Sequence, residues 1–199
     1  MIIITTSRNP NPRTRTFCNA LRGVIPDSIR LNRGTSGLKQ LIIKANELYA
    51  DFIIIIDSRQ GNPSRIRFFY PTGTKGEFHP LELYIHGIAI DQKQSKRRFV
   101  DETYKLKIRT SKPDKKYETL GKSLAEIFDT DFAIIKRPSE SELKADISSS
   151  KKKKREKIIY MFIEEIKDKI NLLFCKDDYL LIGPRIILRD YKFKPVKKK

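Results

Sequence analysis

The chain has 199 residues and carries 42 Lys plus Arg against 24 Asp plus Glu, a formal net charge of +18. An apolar content of 39%, with 11 Phe, is enough to build the core of one large domain or two small ones; this excludes a wholly disordered chain, and the charge predicts a polyanionic partner. No stretch approaches the roughly 18 uncharged apolar residues of a membrane helix, and Met1–Arg8 lacks the basic flank and apolar run of a secretory signal, so a soluble protein of the cell interior is expected.

Ile2–Thr6 is a β-branched run that predicts a strand, and Asn9-Pro-Asn-Pro12 breaks it before Phe17, Leu21 and Val24 fall at helical spacing. Ser28–Asn32 alternates Ile29 and Leu31 with Arg30 and Asn32, the pattern of a strand with one wet face. Gly34-Thr-Ser-Gly37 opens a second helix whose apolar face runs through Leu38, Leu41, Ile42, Ala45, Leu48 and Tyr49. Phe52–Ile56 is wholly apolar, as in a strand covered on both faces. Two β-α-β units in succession predict a partly parallel sheet with right-handed crossovers.

The turn cluster Arg59-Gln-Gly-Asn-Pro63 leads to strands over Ile66–Tyr70 and Leu81–Ile90, which extend the sheet with antiparallel neighbours. Lys96–Asp101 predicts a loop, Tyr104–Arg109 a strand, Leu120, Leu124, Ile127 and Phe128 a third helix, and Phe132–Ile135 another strand. The polar, basic stretch 138–156 predicts a mobile linker or a frayed helix. Two readings stand from Ile158 onward. Ile158, Ile159, Phe162, Ile163, Ile166 and Ile170 fit a helical stripe, while the Ile-rich content and the turn-like Lys167-Asp168 and Asp177-Asp178 fit a three-strand meander ending at Gly183-Pro184, which is preferred. One internal echo has a constant offset of 80 residues: Ala45, Leu48, Asp51, Phe52, Ile54 and Ile55 line up with Ala125, Phe128, Asp131, Phe132, Ile134 and Ile135. It fits a duplication, and equally the local grammar of any helix feeding a buried strand.

The runs Lys151–Arg155 and Lys197–Lys199 hold only eight basic residues, so the remainder is basic by itself. From Met1 to Leu38 every basic residue is Arg and the only acid is Asp27. A guanidinium donates two parallel hydrogen bonds to a phosphate and stacks on bases, whereas Lys acts as a point charge. Arg8, Arg13 and Arg15 flank the turn after the first strand and Arg30 and Arg33 leave the second, so the two groups are expected to converge beyond the carboxyl ends of the parallel strands. Asn9 and Asn32 can reach sugars or base edges, while Asn62 in its Gly-Asn-Pro turn reads as structural. Gly34-Thr-Ser-Gly37 can hold a phosphate on backbone amides beside Arg33, or Thr35 or Ser36 can cap the helix with no ligand. Its spacing is that of the KH-domain Gly-x-x-Gly loop, but it follows a strand instead of joining two helices. Arg97, Arg98 and Arg185 are further candidate contacts, whereas Phe68, Phe69 and Tyr70 read as core.

Catalytic and metal chemistry find no foothold. Cys18 and Cys175 are too few for a disulfide scaffold or a zinc site, with only His79 and His86 to assist, and no phosphate-binding Gly-Lys-Ser/Thr loop or nucleophile-base pair is present. No cofactor is expected.

Ile3-Ile-Thr-Thr-Ser-Arg-Asn-Pro10, Arg13-Thr-Arg15, Val24-Ile-Pro26, Arg30-Leu-Asn-Arg-Gly34 and Gly61-Asn-Pro63, in that order, resemble the signature of the Brix domain. Ile182-Gly-Pro-Arg185 resembles that family's closing element. The resemblance runs from Ile2 to about Lys194, with no family motif between Lys112 and Arg155, and the compact length is most similar to archaeal members related to the eukaryotic Imp-type protein. It implies a single α/β Brix domain over 1–199, made of two similar halves, about 1–95 and 96–199, under pseudo-twofold symmetry. Each half would resemble the anticodon-binding domain of class IIa synthetases, with a mixed parallel and antiparallel sheet and strands at the chain's end. The function implied is a noncatalytic ribosome-biogenesis factor of the archaeal cytoplasm that binds precursor ribosomal RNA, alongside other pre-ribosomal proteins and as a monomer outside the complex. The alternative is a protein-binding adaptor of the pre-ribosome with only nonspecific RNA affinity.

Overall fold

The computed structural model describes residues 1–90, 100–101, 103–135, 157–176 and 180–194. The apolar and β-branched runs pair into one ten-stranded sheet. Its strands and helices are β1 (Ile2–Thr6), α1 (Pro12–Arg22), β2 (Ser28–Arg30), α2 (Leu38–Glu47), β3 (Phe52–Arg59), β4 (Asn62–Thr72), β5 (Lys75–Ala89), β6 (Lys105–Thr110), α3 (Lys115–Ile127), β7 (Phe132–Ile134), β8 (Ile158–Ile166), β9 (Lys169–Lys176) and β10 (Leu181–Phe193).

The strand order is β2-β1-β3-β4-β5-β10-β9-β8-β6-β7. β1 lies parallel to β2 and β3, after which β4 and β5 follow antiparallel. β6 likewise lies parallel to β7 and β8, after which β9 and β10 follow antiparallel, and β5 meets β10 antiparallel at the seam. Counted inward from either edge, the sheet therefore has one plan twice, with β1 corresponding to β6 and β3 to β8. The offset-80 echo does not mark this repeat. It aligns α2 and the interior strand β3 with α3 and the edge strand β7, which hold different places in the plan; a helix followed by a buried strand has the same local pattern wherever it sits.

Alternation assigns the two faces. Phe52, Ile54 and Ile56 of β3 join the large core shared with α1 and α3, while Ile53 and Ile55 face α2 on the opposite side. The large core crosses the seam, running from Ile4 and Phe17 to Ile186 and Leu188. Asn11 caps α1 by accepting from the Thr14 amide at 2.9 Å with Pro12 in the first turn, and Asp114 caps α3 through the Lys116 amide at 2.7 Å. Gln60 and Gly61, at φ 48° and 78°, close the β3–β4 hairpin, and Lys167 and Asp168, at 51° and 58°, close β8–β9.

Several expectations shift. The α2 stripe stops early: Leu48 is the C-cap, and Tyr49 leaves the helix at φ 53° and is 88% exposed. β4 and β5 begin before the apolar runs that announce them, because pairing with β3 runs down to Arg59↔Asn62 and pairing between β4 and β5 continues through Pro71↔Gly76 to their hairpin tip. The strand reading of the last segment holds, with Ile159, Met161 and Ile163 in the large core and Phe162 in a small buried cluster on the opposite face, a period of two. The meander does not end at Gly183-Pro184, however; that pair interrupts the β9–β10 register, and β10 runs on to Phe193 because β5 offers it a partner. The linker 138–156 and the turn Asp177-Asp178 lie outside the described residues.

Candidate nucleic-acid interface

The carboxyl ends of β1 and β3 emerge side by side, tied by the Ser7 amide to the Ile56 carbonyl at 2.8 Å. Arg8 and Asn9 follow, both exposed, with Asn9 in the left-handed region at φ 53°. The loop after β2 is pinned to the same end by the Leu31 amide on the Ile4 carbonyl at 3.0 Å and by Thr5 Oγ1 donating to the Leu31 carbonyl at 2.8 Å. Arg33 turns back over its own loop, Nε to the Ser36 carbonyl at 3.1 Å.

A cluster of guanidiniums forms here around one carboxylate. Asp57 accepts from Arg65 Nε at 2.8 Å and from Arg67 Nε and Nη2 at 2.9 and 2.8 Å. Burial pushes the Arg33 guanidinium below its ordinary range, the positive charges of Arg8 and Arg67 push it the same way, and Asp57 opposes them. Arg65 stands above its ordinary range, because Asp57 and Glu82 more than offset its partial burial. Arg8 has no hydrogen bond or ion pair among the described residues, so the site carries more positive charge than its own carboxylates answer.

The other expected contacts divide. Arg13 donates to Asn62 Oδ1 at 2.9 Å and Asn62 to the Gln60 carbonyl at 3.2 Å, which makes Asn62 the structural link that its turn implies. Arg15, Asn32 and Gly34 are exposed. Arg30 does not join Arg33: alternation along β2 sends Ile29 toward α2 and Arg30 to the α1 side, where it donates to Asn19 Oδ1 at 2.6 Å. Neither Thr35 nor Ser36 caps α2. The cap is Gly37, without a side-chain oxygen, and its amide donates to Gln40 Oε1 at 3.0 Å. Arg185 is exposed on β10 opposite Ala89, while Arg97 and Arg98 lie outside the described residues. Phe68 and Phe69 are core and Tyr70 packs against it; Cys18 is fully buried, with burial holding its thiol at about 12.

The sequence reading missed Arg65, Arg67 and Arg189. Their signal was period-two alternation: Arg65 and Arg67 interleave with Ile66 and Phe68, and Arg189 follows Ile186 and Leu188. Beside the cluster a cleft of about 640 Å³ is lined by Ser7, Arg59, Asn62, Tyr84, His86 and Arg189, among other residues. Among the described residues no group of His, Cys, Asp and Glu is placed to hold a metal ion, and no helix is long and apolar enough to cross a membrane.

No family model matches the chain. It is similar to archaeal proteins that bear the name "Probable Brix domain-containing ribosomal biogenesis protein". One from Sulfurisphaera tokodaii is 44% identical over 89 residues, covering 45% of this chain and 49% of that protein. One from Pyrococcus horikoshii is 33% identical over 98 residues, covering 46% and 41%, so the match spans about half the length of these curated relatives or less. One from Methanopyrus kandleri is 26% identical over 200 residues, covering 98% of this chain and 97% of the relative. Two crystal structures share the fold. A probable ribosomal biogenesis protein from Aeropyrum pernix K1 aligns at a TM-score of 0.74 with 21% identity, covering 98% and 97% of the two chains. Mil, an archaeal Imp4-like protein, aligns at 0.61 with 18% identity, covering 96% and 99%. The Brix resemblance carried by the motifs is thus shared by named archaeal relatives, and the mixed α/β sheet by their structural neighbours.

Proposed function

We propose that this chain is a noncatalytic ribosome-biogenesis factor of the archaeal cytoplasm that binds precursor ribosomal RNA and assists its processing and assembly. The observation that carries the reading is the run of Arg65, Arg67, Arg33 and Arg8 beside Asp57 and Glu82: the Asp57 oxygens are already taken by Arg65 and Arg67, Glu82 is held by Arg65 and Lys194, and Arg33 and Arg8 lie in the same field with no carboxylate of their own. Phosphates supply the missing negative charge, and fixed guanidiniums bind them in forks. Arg8, Asn9, Arg13, Arg15, Asn32, Arg33 and Gly34 contribute from the strand ends, with Arg30 at the α1 side and Arg185 across the seam. The doubled strand plan supports reading the chain as two copies of one α/β unit.

The test is binding to fragments tiled across precursor rRNA at two salt concentrations, with unrelated RNA of matched length as competitor. One fragment should be preferred at the higher salt, and changing Arg8, Arg13 and Arg33 together to Ala should flatten the salt dependence by up to about 0.7 per lost contact to single-stranded RNA. Uniform binding that salt erases would favour the adaptor instead. That second reading has its own support in an apolar cleft of about 440 Å³ at the start of β10, lined by Ile90, Ile166, Leu173, Leu181 and Ile182, with Leu181 46% exposed.

A further inference from the structure

Two neighbouring strands from different halves of the chain, β5 and β10, present a polar outer face at the seam. Leu188 pairs with Ile85 and Asp190 with Tyr84, so Arg189 is an extra residue in the ladder, a bulge that re-aims its side chain. The Arg189 guanidinium lies 5.8 Å from the centroid of the Tyr84 ring, and Lys192 Nζ lies 5.8 Å from the same ring. The ring is held in place from below: its hydroxyl donates to Glu82 Oε2 at 2.7 Å. Glu82 is only 5% exposed and also receives Arg65 at 3.1 Å and Lys194 at 2.9 Å. Acid and tyrosine thus form a rigid floor, with long, exposed cations above it. Lys169 extends the cations across the seam, its Nζ 2.6 Å from His86 Nε2.

Lys192 is held only by a long, exposed ion pair to Asp190 at 4.0 Å, so a half-buried aromatic ring with a fixed plane, overlain by exposed cations that a nucleotide can displace toward its phosphates, is a surface on which an unpaired base stacks. A regular duplex hides its base faces and would use only the charges. The adjoining cleft, at about 640 Å³, opens between Tyr84, His86, Arg189 and the Arg59–Asn62 turn, which places room for a splayed nucleotide next to the arginine cluster. We infer that the outer face of the β5–β10 seam is a second, single-strand-selective RNA contact, with Tyr84 as stacking platform and Arg189 and Lys192 as phosphate clamps. This rests on the RNA-binding reading above and adds the class of RNA, an unpaired strand, and the residues that select it.

The test measures the full chain's affinity for an unstructured RNA oligonucleotide and for a duplex of the same length. Tyr84→Leu should weaken the single strand at least about fivefold and leave the duplex unchanged, while Tyr84→Phe, which keeps the ring but loses the bond that holds it to Glu82, should lose less than Tyr84→Leu and keep the preference for the single strand. Arg189→Ser with Lys192→Ser, both on the surface, should lower the single-strand salt slope by about 1.4 for two contacts. A 4-thiouridine oligonucleotide should crosslink to the peptide containing Tyr84. Wild-type affinity in Tyr84→Leu, equal losses for strand and duplex, or crosslinks confined to other peptides would overturn the inference and leave the arginine cluster standing. Absence of RNA binding by the wild type would remove both. Loss of binding in the Arg8, Arg13, Arg33 variant alone, with the seam variants intact, would remove only the seam.

Discussion

Gly183→Ala should destabilise the protein far more than its exposure suggests. Gly183 sits at φ 68°, and a Cβ there would overlap Cγ1 of Val24 and lie 3.3 Å from Val24 Cβ and Cγ2. Val24 is fully buried just beyond α1, and a β-branched side chain cannot swing away about χ1. Left-handed backbone costs a non-glycine residue about 1–3 kcal/mol and overpacking about 1–3 kcal/mol more, so a loss of about 2–6 kcal/mol is expected. For a chain of this length, at about 2–4 °C per kcal/mol, that corresponds to a melting point lowered by about 4–24 °C. Thermal and urea unfolding followed by circular dichroism would measure it. Adding Val24→Ala should recover the steric part, giving a coupling of about 1 kcal/mol or more between the two sites. RNA affinity well below the melting point should not change, because the glycine's task is to let β10 approach the first half. A Gly183→Ala protein melting within about 2 °C of wild type, or strictly additive losses with Val24→Ala, would refute the account.

Other consequences are open to direct measurement. Asp57→Asn should cost about 2 kcal/mol by loosening three charge-assisted hydrogen bonds, the loss growing at low salt and shrinking when RNA is added; equal melts at both salt levels would contradict the cluster electrostatics. Gly121→Ala, usually helix-stabilising by about 1 kcal/mol, should instead lower the urea midpoint, since its Cβ would run into the Phe132 ring, and Phe132→Leu should relieve it. Glu82 is held below its ordinary carboxyl range: burial pushes it up, but the Tyr84 and Lys194 hydrogen bonds and the charges of Arg65 and Lys194 more than reverse that. Its contribution is therefore complete above the ordinary glutamate value of 4.5 and lost as pH falls through the lower folded value, so Glu82→Gln should make the melting point less sensitive to pH below that point.

The sequence alone determined whatever depends on local pattern. Period-two alternation and β-branched runs placed the strands, and the doubly apolar Phe52–Ile56 marked one covered on both sides. Lys167-Asp168 marked a hairpin. What it could not supply is which distant residues become neighbours. Arg33 comes within electrostatic reach of Arg67 and Asp57 only because β1, β3 and β4 adopt a particular register. Arg30, three residues from Arg33, goes to the other face because a strand's side chains alternate. The two family-like motifs around Val24 and Gly183 touch because β10 packs against the end of α1, a contact that gives the glycine its purpose. The offset-80 echo misled because it compares local patterns, whereas the doubled plan of the sheet, expected only from the family resemblance, lies in the order of strand pairing. Local propensity is set by each residue and its near neighbours. Pairing order and register are set by burying one continuous core across both halves, and that condition exists only in the folded chain.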